Sequence, residues 1–118
     1  VMQKSSFLLR IDPARIDEYL QWHRAVWPEM LEALHESGYR NYSLFLDDSG
    51  LLVGYFEAED PDAAIAAMQR TDVNARWSAL LDELFVDVDE ARPVGTIATL
   101  RLAFDLDAQL AAQTEASA

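Results

Sequence analysis

The chain has 118 residues, no cysteine, 51% hydrophobic residues and a formal net charge of -12, from 9 Lys+Arg against 21 Asp+Glu. That length and apolar content fit one compact domain with a real core. The acidic balance argues against nucleic acid and an anionic membrane surface as partners and disfavours an anionic substrate, and a neutral small molecule is compatible with it.

Without cysteine there is no disulfide, no thiolate metal site and no cysteine nucleophile. No stretch is long and apolar enough to cross a bilayer, and the N-terminus lacks a signal-peptide core, so the expected address is the cytoplasm. Residues 1–104 are expected to form a single α+β domain. The Ala/Gln-rich residues 105–118 are expected to be a frayed tail.

Residues 4–11 (KSSFLLRI) predict a first strand, with Phe7, Leu9 and Ile11 alternating against more polar positions. Asp12-Pro13 then signals a helix start. This helix is expected to reach about Ser37, with Gly38 just past its end and a kink or break near Trp27 caused by Pro28. Residues 39–47 and 51–58 predict a hairpin around Asp48-Ser49-Gly50. Asp60-Pro61 opens a helix through about Gln69, and Thr71 caps another from Asp72 to about Phe85. After a loop at 87–93, residues 95–104 (GTIATLRLAF) predict the fourth strand.

The order is β-α-β-β-α-β, the ferredoxin-like arrangement, in which helices cover one face of a four-stranded antiparallel sheet. Strands two and three are nevertheless apolar on both faces, as in Leu44-Phe45-Leu46 and Leu51-Leu52-Val53. A second copy of the chain is the expected cover, which predicts a homodimer.

Within the first helix, Tyr19, His23 and Trp27 recur every four residues, each step turning only about 40° past a full turn. They form one column beside the apolar stripe, so His23 is expected to face inward. A solitary inward histidine is as readily a core residue as a catalytic one. The neighbouring Tyr19 hydroxyl and the flat faces of Trp22 and Trp27 favour a site that holds a sugar ring. His35 lies near the helix end, out of line with His23, and reads as a surface residue complementing the helix dipole. In the second strand, simple alternation puts Tyr39 and Asn41 on one face and Arg40 and Tyr42 on the other. Asp72 and Arg76 read as a helix-supporting pair, with Trp77 at the inward edge. No nucleophile elbow, phosphate loop, dinucleotide fingerprint or metal-binding histidine pair is present, so neither a metal nor a cofactor is expected.

The ordered set Tyr19-x-x-x-His23-x-x-x-Trp27-Pro28-Glu29, Asn41-Tyr42-Ser43-Leu44-Phe45-Leu46-Asp47 and Thr71-Asp72-Val73-x-x-Arg76-Trp77 resembles the L-rhamnose mutarotases. The resemblance spans about residues 3–104 and implies a dimeric α/β-barrel of ferredoxin-like halves. It implies His23 as the catalytic acid/base and Tyr19, Tyr42, Trp77 and Ser78 as substrate-binding positions. The family carries a tandem tryptophan where this chain has Trp77-Ser78, so one aromatic wall is replaced by a hydroxyl. The implied reaction is interconversion of the two pyranose anomers of a reducing sugar, with no cofactor. The same fold class hosts small dimeric monooxygenases and lactone isomerases. A non-catalytic sugar-binding module is a further reading of the same residues.

Overall fold

The computed structural model describes residues 1–117. Strand β1 (Gln3–Ile11) leads through a 3₁₀ turn at Pro13–Arg15 into helix α1 (Ile16–His23). Helix α2 (Pro28–Ser37), strands β2 (Arg40–Leu46) and β3 (Leu51–Ala58), and helices α3 (Pro61–Gln69) and α4 (Asp72–Leu81) follow. The chain then forms two short strands, β4 (Phe85–Val86) and β5 (Ala98–Leu100), and a last helix, α5 (Leu106–Ser117). The sheet order is β2-β3-β1-β4, with β5 also on β1. All pairings are antiparallel. This is the α+β, ferredoxin-like arrangement expected from the sequence.

Local chemistry sets the element boundaries. The Asp12 carboxylate accepts from the Ala14 N–H at 3.0 Å, that of Asp60 from Ala63 at 3.1 Å, and the Thr71 hydroxyl from Asn74 at 3.3 Å. Each satisfies a donor that a helix start leaves open. Gly38 ends α2 in the left-handed conformation at φ 111°, where glycine avoids the Cβ penalty. The sequence suggested one long first helix with a kink or break near Trp27. The chain takes the break: α1 stops at His23, and Pro28, which has no N–H to give, starts α2.

One sheet face, carrying Ile11 and Leu52, packs beneath the helices against Met30, Trp77, Leu81 and Leu84. A second part of this core joins Phe7 and Phe56 to Ala58 and Ala64. Gly54 is required there, because a Cβ at that position would collide with the Phe7 ring lying across it. Strand alternation sends Phe45, Val53, Leu8 and Ala98 to the opposite face, where register places them in one row across the sheet. Phe45 is 59% exposed.

Two expectations are corrected. The fourth strand is not continuous over 95–104. The edge of β1 is covered by β4 at Arg10 and Ile11 and by β5 at Ser6, Phe7 and Leu8. Residues 87–97 leave the sheet between these two pairings. The tail is not frayed: α5 is helical, and the Asp105 carboxylate caps it by accepting from Ala108 N–H at 3.0 Å. An Asp ahead of an Ala-rich run carries both a cap and high helix propensity. Ala118 lies outside the described residues.

Candidate functional site

A cavity of about 650 Å³ lies between the helices and the inner sheet face. Its size suits a small organic ligand. His23, Tyr19, Tyr42, Trp77 and Ser78 all line it, so the five positions singled out in the sequence come together around one space.

His23 occupies the last turn of α1. Its Nδ1 lies 2.9 Å from the Tyr19 carbonyl oxygen. A carbonyl only accepts, so Nδ1 carries the proton and Nε2 is the nitrogen left free in the neutral ring. The imidazole stacks on the Tyr19 ring at 4.1 Å and meets Trp77 edge-on at 5.5 Å. Two rings and one hydrogen bond therefore fix its orientation. Burial lowers the His23 pKa below the ordinary imidazole value, and the carbonyl bond opposes that shift only in part. The ring is neutral at pH 7, with an unprotonated Nε2.

Tyr19 is buried, and the edge of Phe85 stands against it at 6.0 Å. Tyr42 reaches the same cavity from the inner face it shares with Leu44, and Tyr39 joins it there because β2 is irregular. The register with β3 slips by one residue between Arg40 and Ser43, and Asn41 adopts φ 49°. Asn tolerates this left-handed conformation better than most residues. The bulge reverses the face of everything before it. Tyr39 and Tyr42 consequently share the inner face, their rings 5.2 Å apart, while Arg40 lies opposite Glu57 on the outer one. Simple alternation had paired Tyr42 with Arg40, and the bulge overturns that. Although 38% of Tyr42 remains exposed, Phe7, Tyr39 and Phe56 wall its ring. Burial pushes both the Tyr19 and Tyr42 phenols well above their usual range. Both therefore stay protonated, each with a hydroxyl proton available to donate.

Helix α4 supplies the facing wall. Trp77 is buried, with Trp22 at 6.0 Å and Trp27 at 5.0 Å, both edge-on. Trp22 and Trp27 stand behind Trp77 and do not line the cavity, contrary to the expectation that their faces would meet a ligand. The α1 break removes Trp27 from the His23 column. Arg76 holds this layer from outside, with Asp72 at 2.9 Å, Glu29 at 3.1 Å and its guanidinium 5.8 Å from the Trp27 ring centre. His35 is exposed on α2, as its position suggested.

Several lining residues carried no separate signal. Tyr39 and Phe85 are among them, and the segment Pro93–Ile97 lies in the excursion between β4 and β5. The Asp87 carboxylate tethers that excursion by accepting from Val94 N–H at 2.7 Å, and Asp89 pairs with Arg92 within it. Asn74 and Asp82 also line the cavity, and their spacing from Ser78 was the available clue. Among the described residues no three His, Asp or Glu side chains converge as a metal site would need. No helix among them is long and apolar enough to cross a membrane.

Comparison with known proteins identifies the family. The family model described as L-rhamnose mutarotase matches residues 4–106. An L-rhamnose mutarotase of Burkholderia orbicola is 36% identical over 93 residues, covering 79% of this chain and 89% of that protein. One from Lachnoclostridium phytofermentans is 31% identical over 107 residues, covering 90% and 100%. Among solved structures, an L-rhamnose mutarotase of Formosa agariphila superposes with a TM-score of 0.71 at 16% identity, covering 88% of this chain and 98% of that one. A putative antibiotic biosynthesis monooxygenase of Bordetella bronchiseptica superposes at 0.63 with 13% identity, covering 87% and 98%, a likeness of fold alone. The family match over nearly the whole domain, joined to the residues around the cavity, places the chain in the L-rhamnose mutarotase family.

Proposed function

We propose that the chain interconverts the α and β pyranose anomers of L-rhamnose, as an isomerase of the aldose 1-epimerase type, with His23 as its acid/base. Mutarotation breaks the bond between the anomeric carbon and the ring oxygen. The anomeric hydroxyl loses a proton, the ring oxygen gains one, and the open aldehyde rotates and recloses on its other face. Both oxygens are bonded to the same carbon, so one nitrogen reaches them in turn. The free Nε2 of neutral His23 takes the hydroxyl proton, and the imidazolium then donates it to the ring oxygen. Closure runs the same transfers backwards. Protons balance within the cycle, and the sequence of steps calls for no cofactor. Tyr19 and Tyr42, protonated, donate hydrogen bonds to the sugar, and Trp77 offers its apolar C–H faces a flat wall.

One observation carries this reading: the 2.9 Å bond from Nδ1 to Tyr19 leaves a single ring nitrogen available beside a cavity of about 650 Å³. Saturation-transfer NMR on L-rhamnose tests it. Wild-type protein is expected to speed anomer exchange, and His23→Ala to return it to the spontaneous rate, a loss of about 10²–10⁴-fold. Wild-type exchange at the spontaneous rate despite saturable sugar binding would identify a binding module instead.

The active species under this proposal is a cytoplasmic homodimer. Its support is the outer-face row of Phe45, Val53 and Leu8, together with Leu102 and Phe104, which are 59% and 62% exposed beyond the sheet edge. A second copy would bury this surface. A chain without cysteine needs no oxidising compartment, which suits the cytoplasm.

A further inference from the structure

Helix α4 carries more than Trp77 to the cavity. Asn74, Ser78 and Asp82 follow one another at four-residue steps, and all three line it. The helical path continues through Asp82, whose N–H donates to the Ser78 carbonyl. The three side chains therefore form one column about 12 Å long. Its composition is an amide, a hydroxyl and a carboxylate, set into a cavity walled mostly by aromatic and aliphatic groups, with His23, Gln69 and Thr96 as further polar members.

These groups are not consumed by the fold. Among the described residues, neither the Asn74 amide, the Ser78 hydroxyl nor the Asp82 carboxylate takes part in a hydrogen bond or ion pair with the rest of the chain; Asn74 is engaged only through its backbone N–H. The neighbouring carboxylates behave otherwise: Asp72 is tied to Arg76, and Glu83 to Arg15. No side-chain oxygen or nitrogen among the described residues is sealed away without a partner, so these three groups keep solvent contact: Asn74 and Ser78 are half-buried, and Asp82, which also lines the cavity, is exposed. Free polar groups beside an apolar pocket are what fixes a ligand's orientation.

We infer that Asn74, Ser78 and Asp82 form a hydroxyl-binding wall that holds the edge of the sugar remote from its anomeric carbon and selects neutral aldopyranoses over anionic ones. This rests on the cavity being a sugar site. His23, at one side, takes the reacting carbon, and the column meets hydroxyls that do not react. The Asp82 carboxylate accepts from one or two of them, the charge-assisted kind of bond that contributes most. The Ser78 hydroxyl gives and accepts, and the Asn74 amide does both through separate atoms. An indole at position 78 would cover this surface with an apolar face. Asp82 also sets a fixed negative charge beside the ligand, in a chain whose net charge is already -12. A uronic acid or a sugar phosphate placed there meets like-charge repulsion.

The test measures binding separately from exchange, by NMR titration of wild type and of Asn74→Ala, Ser78→Ala and Asp82→Asn with L-rhamnose and D-glucuronate. Circular dichroism verifies that each variant folds. Asp82→Asn is expected to weaken L-rhamnose binding about tenfold, and the other two about threefold to fivefold. It is also expected to narrow the preference for L-rhamnose over D-glucuronate by about fivefold, an effect that mere loss of packing does not produce. In the exchange assay the change falls mainly on KM. All three variants binding within about twofold of wild type, or an unchanged neutral-to-anionic preference in Asp82→Asn, would overturn the wall. Binding without accelerated exchange would leave the wall standing and remove the mutarotase reaction. Failure of the wild type to bind any aldose would remove both.

Discussion

His23 donates its Nδ1–H to the backbone carbonyl of Tyr19, one helical turn earlier, while its ring lies 4.1 Å above the Tyr19 ring. One residue thus fixes both the tautomer and the orientation of the other. The side chain that holds the imidazole also buries it, and that burial lowers its pKa.

The pH dependence follows with a definite sign. The neutral ring is the form that accepts the first proton, and its folded pKa lies below the ordinary value of about 6.5. Enzyme-dependent exchange is therefore expected to be flat from neutral pH to about pH 9, and to fall only as acid protonates His23 below about pH 6.5. Exchange spectroscopy corrected for the spontaneous rate at each pH checks this. A rate that rises as pH drops would assign a different protonation state.

Tyr19→Phe and Tyr42→Phe each remove a donor that stays protonated throughout this range. Each is expected to reduce sugar affinity or exchange by about fivefold to tenfold, the worth of one neutral hydrogen bond. Two variants indistinguishable from wild type in an NMR titration would show that the phenols face the ligand without holding it.

The bulge at Asn41 is expected to govern Tyr39, whose ring packs against Tyr42. Asn41→Gly suits φ 49° and should leave thermal stability within about 1 kcal/mol of wild type. Asn41→Val places a branched side chain in the left-handed region and should cost about 1–3 kcal/mol. Thermal unfolding measures the difference. Activity should fall in the Val variant more than stability alone predicts, because Tyr39 leaves the cavity and its place beside Tyr42 if the bulge relaxes.

Gly54→Ala would set a methyl group into the Phe7 ring. Overpacking of this kind is expected to destabilise by about 1–3 kcal/mol. Phe7→Leu in the same background should recover part of the loss, and chemical denaturation of the single and double variants tests the coupling.

Phe45→Asp probes the outer sheet face. In a dimer that buries Phe45 beside Val53 and Leu8, the substitution should shift sedimentation toward the monomer at micromolar concentration. An unchanged mass in both proteins would exclude that face as the contact.

Much of this architecture was legible because it depends on local chemistry. Asp12, Asp60 and Thr71 announce turn or helix starts, Gly38 a helix end, and Pro28 a break. The alternation of Phe7, Leu9 and Ile11 assigns the inner face of β1 correctly. Convergence of Tyr19 with His23 was readable from a four-residue spacing. The shared face of Tyr39 and Tyr42 was not, because one extra residue in a strand inverts every side chain before it, and a tolerant Asn is the only trace it leaves. The split fourth strand was equally hidden. Its two pairings with β1 depend on contacts more than 70 residues apart in sequence, which no window along the chain contains.

That interruption separates two duties which a continuous strand would combine. Phe85–Val86 and Ala98–Leu100 keep the edge of β1 hydrogen-bonded, while the ten or so residues between them are relieved of sheet geometry and shape the ligand chamber instead. Changes of length or side chain in that inserted stretch can remodel the entrance with the sheet register preserved. Descendants of this scaffold can therefore acquire new sugar preferences without rebuilding the framework that holds the imidazole.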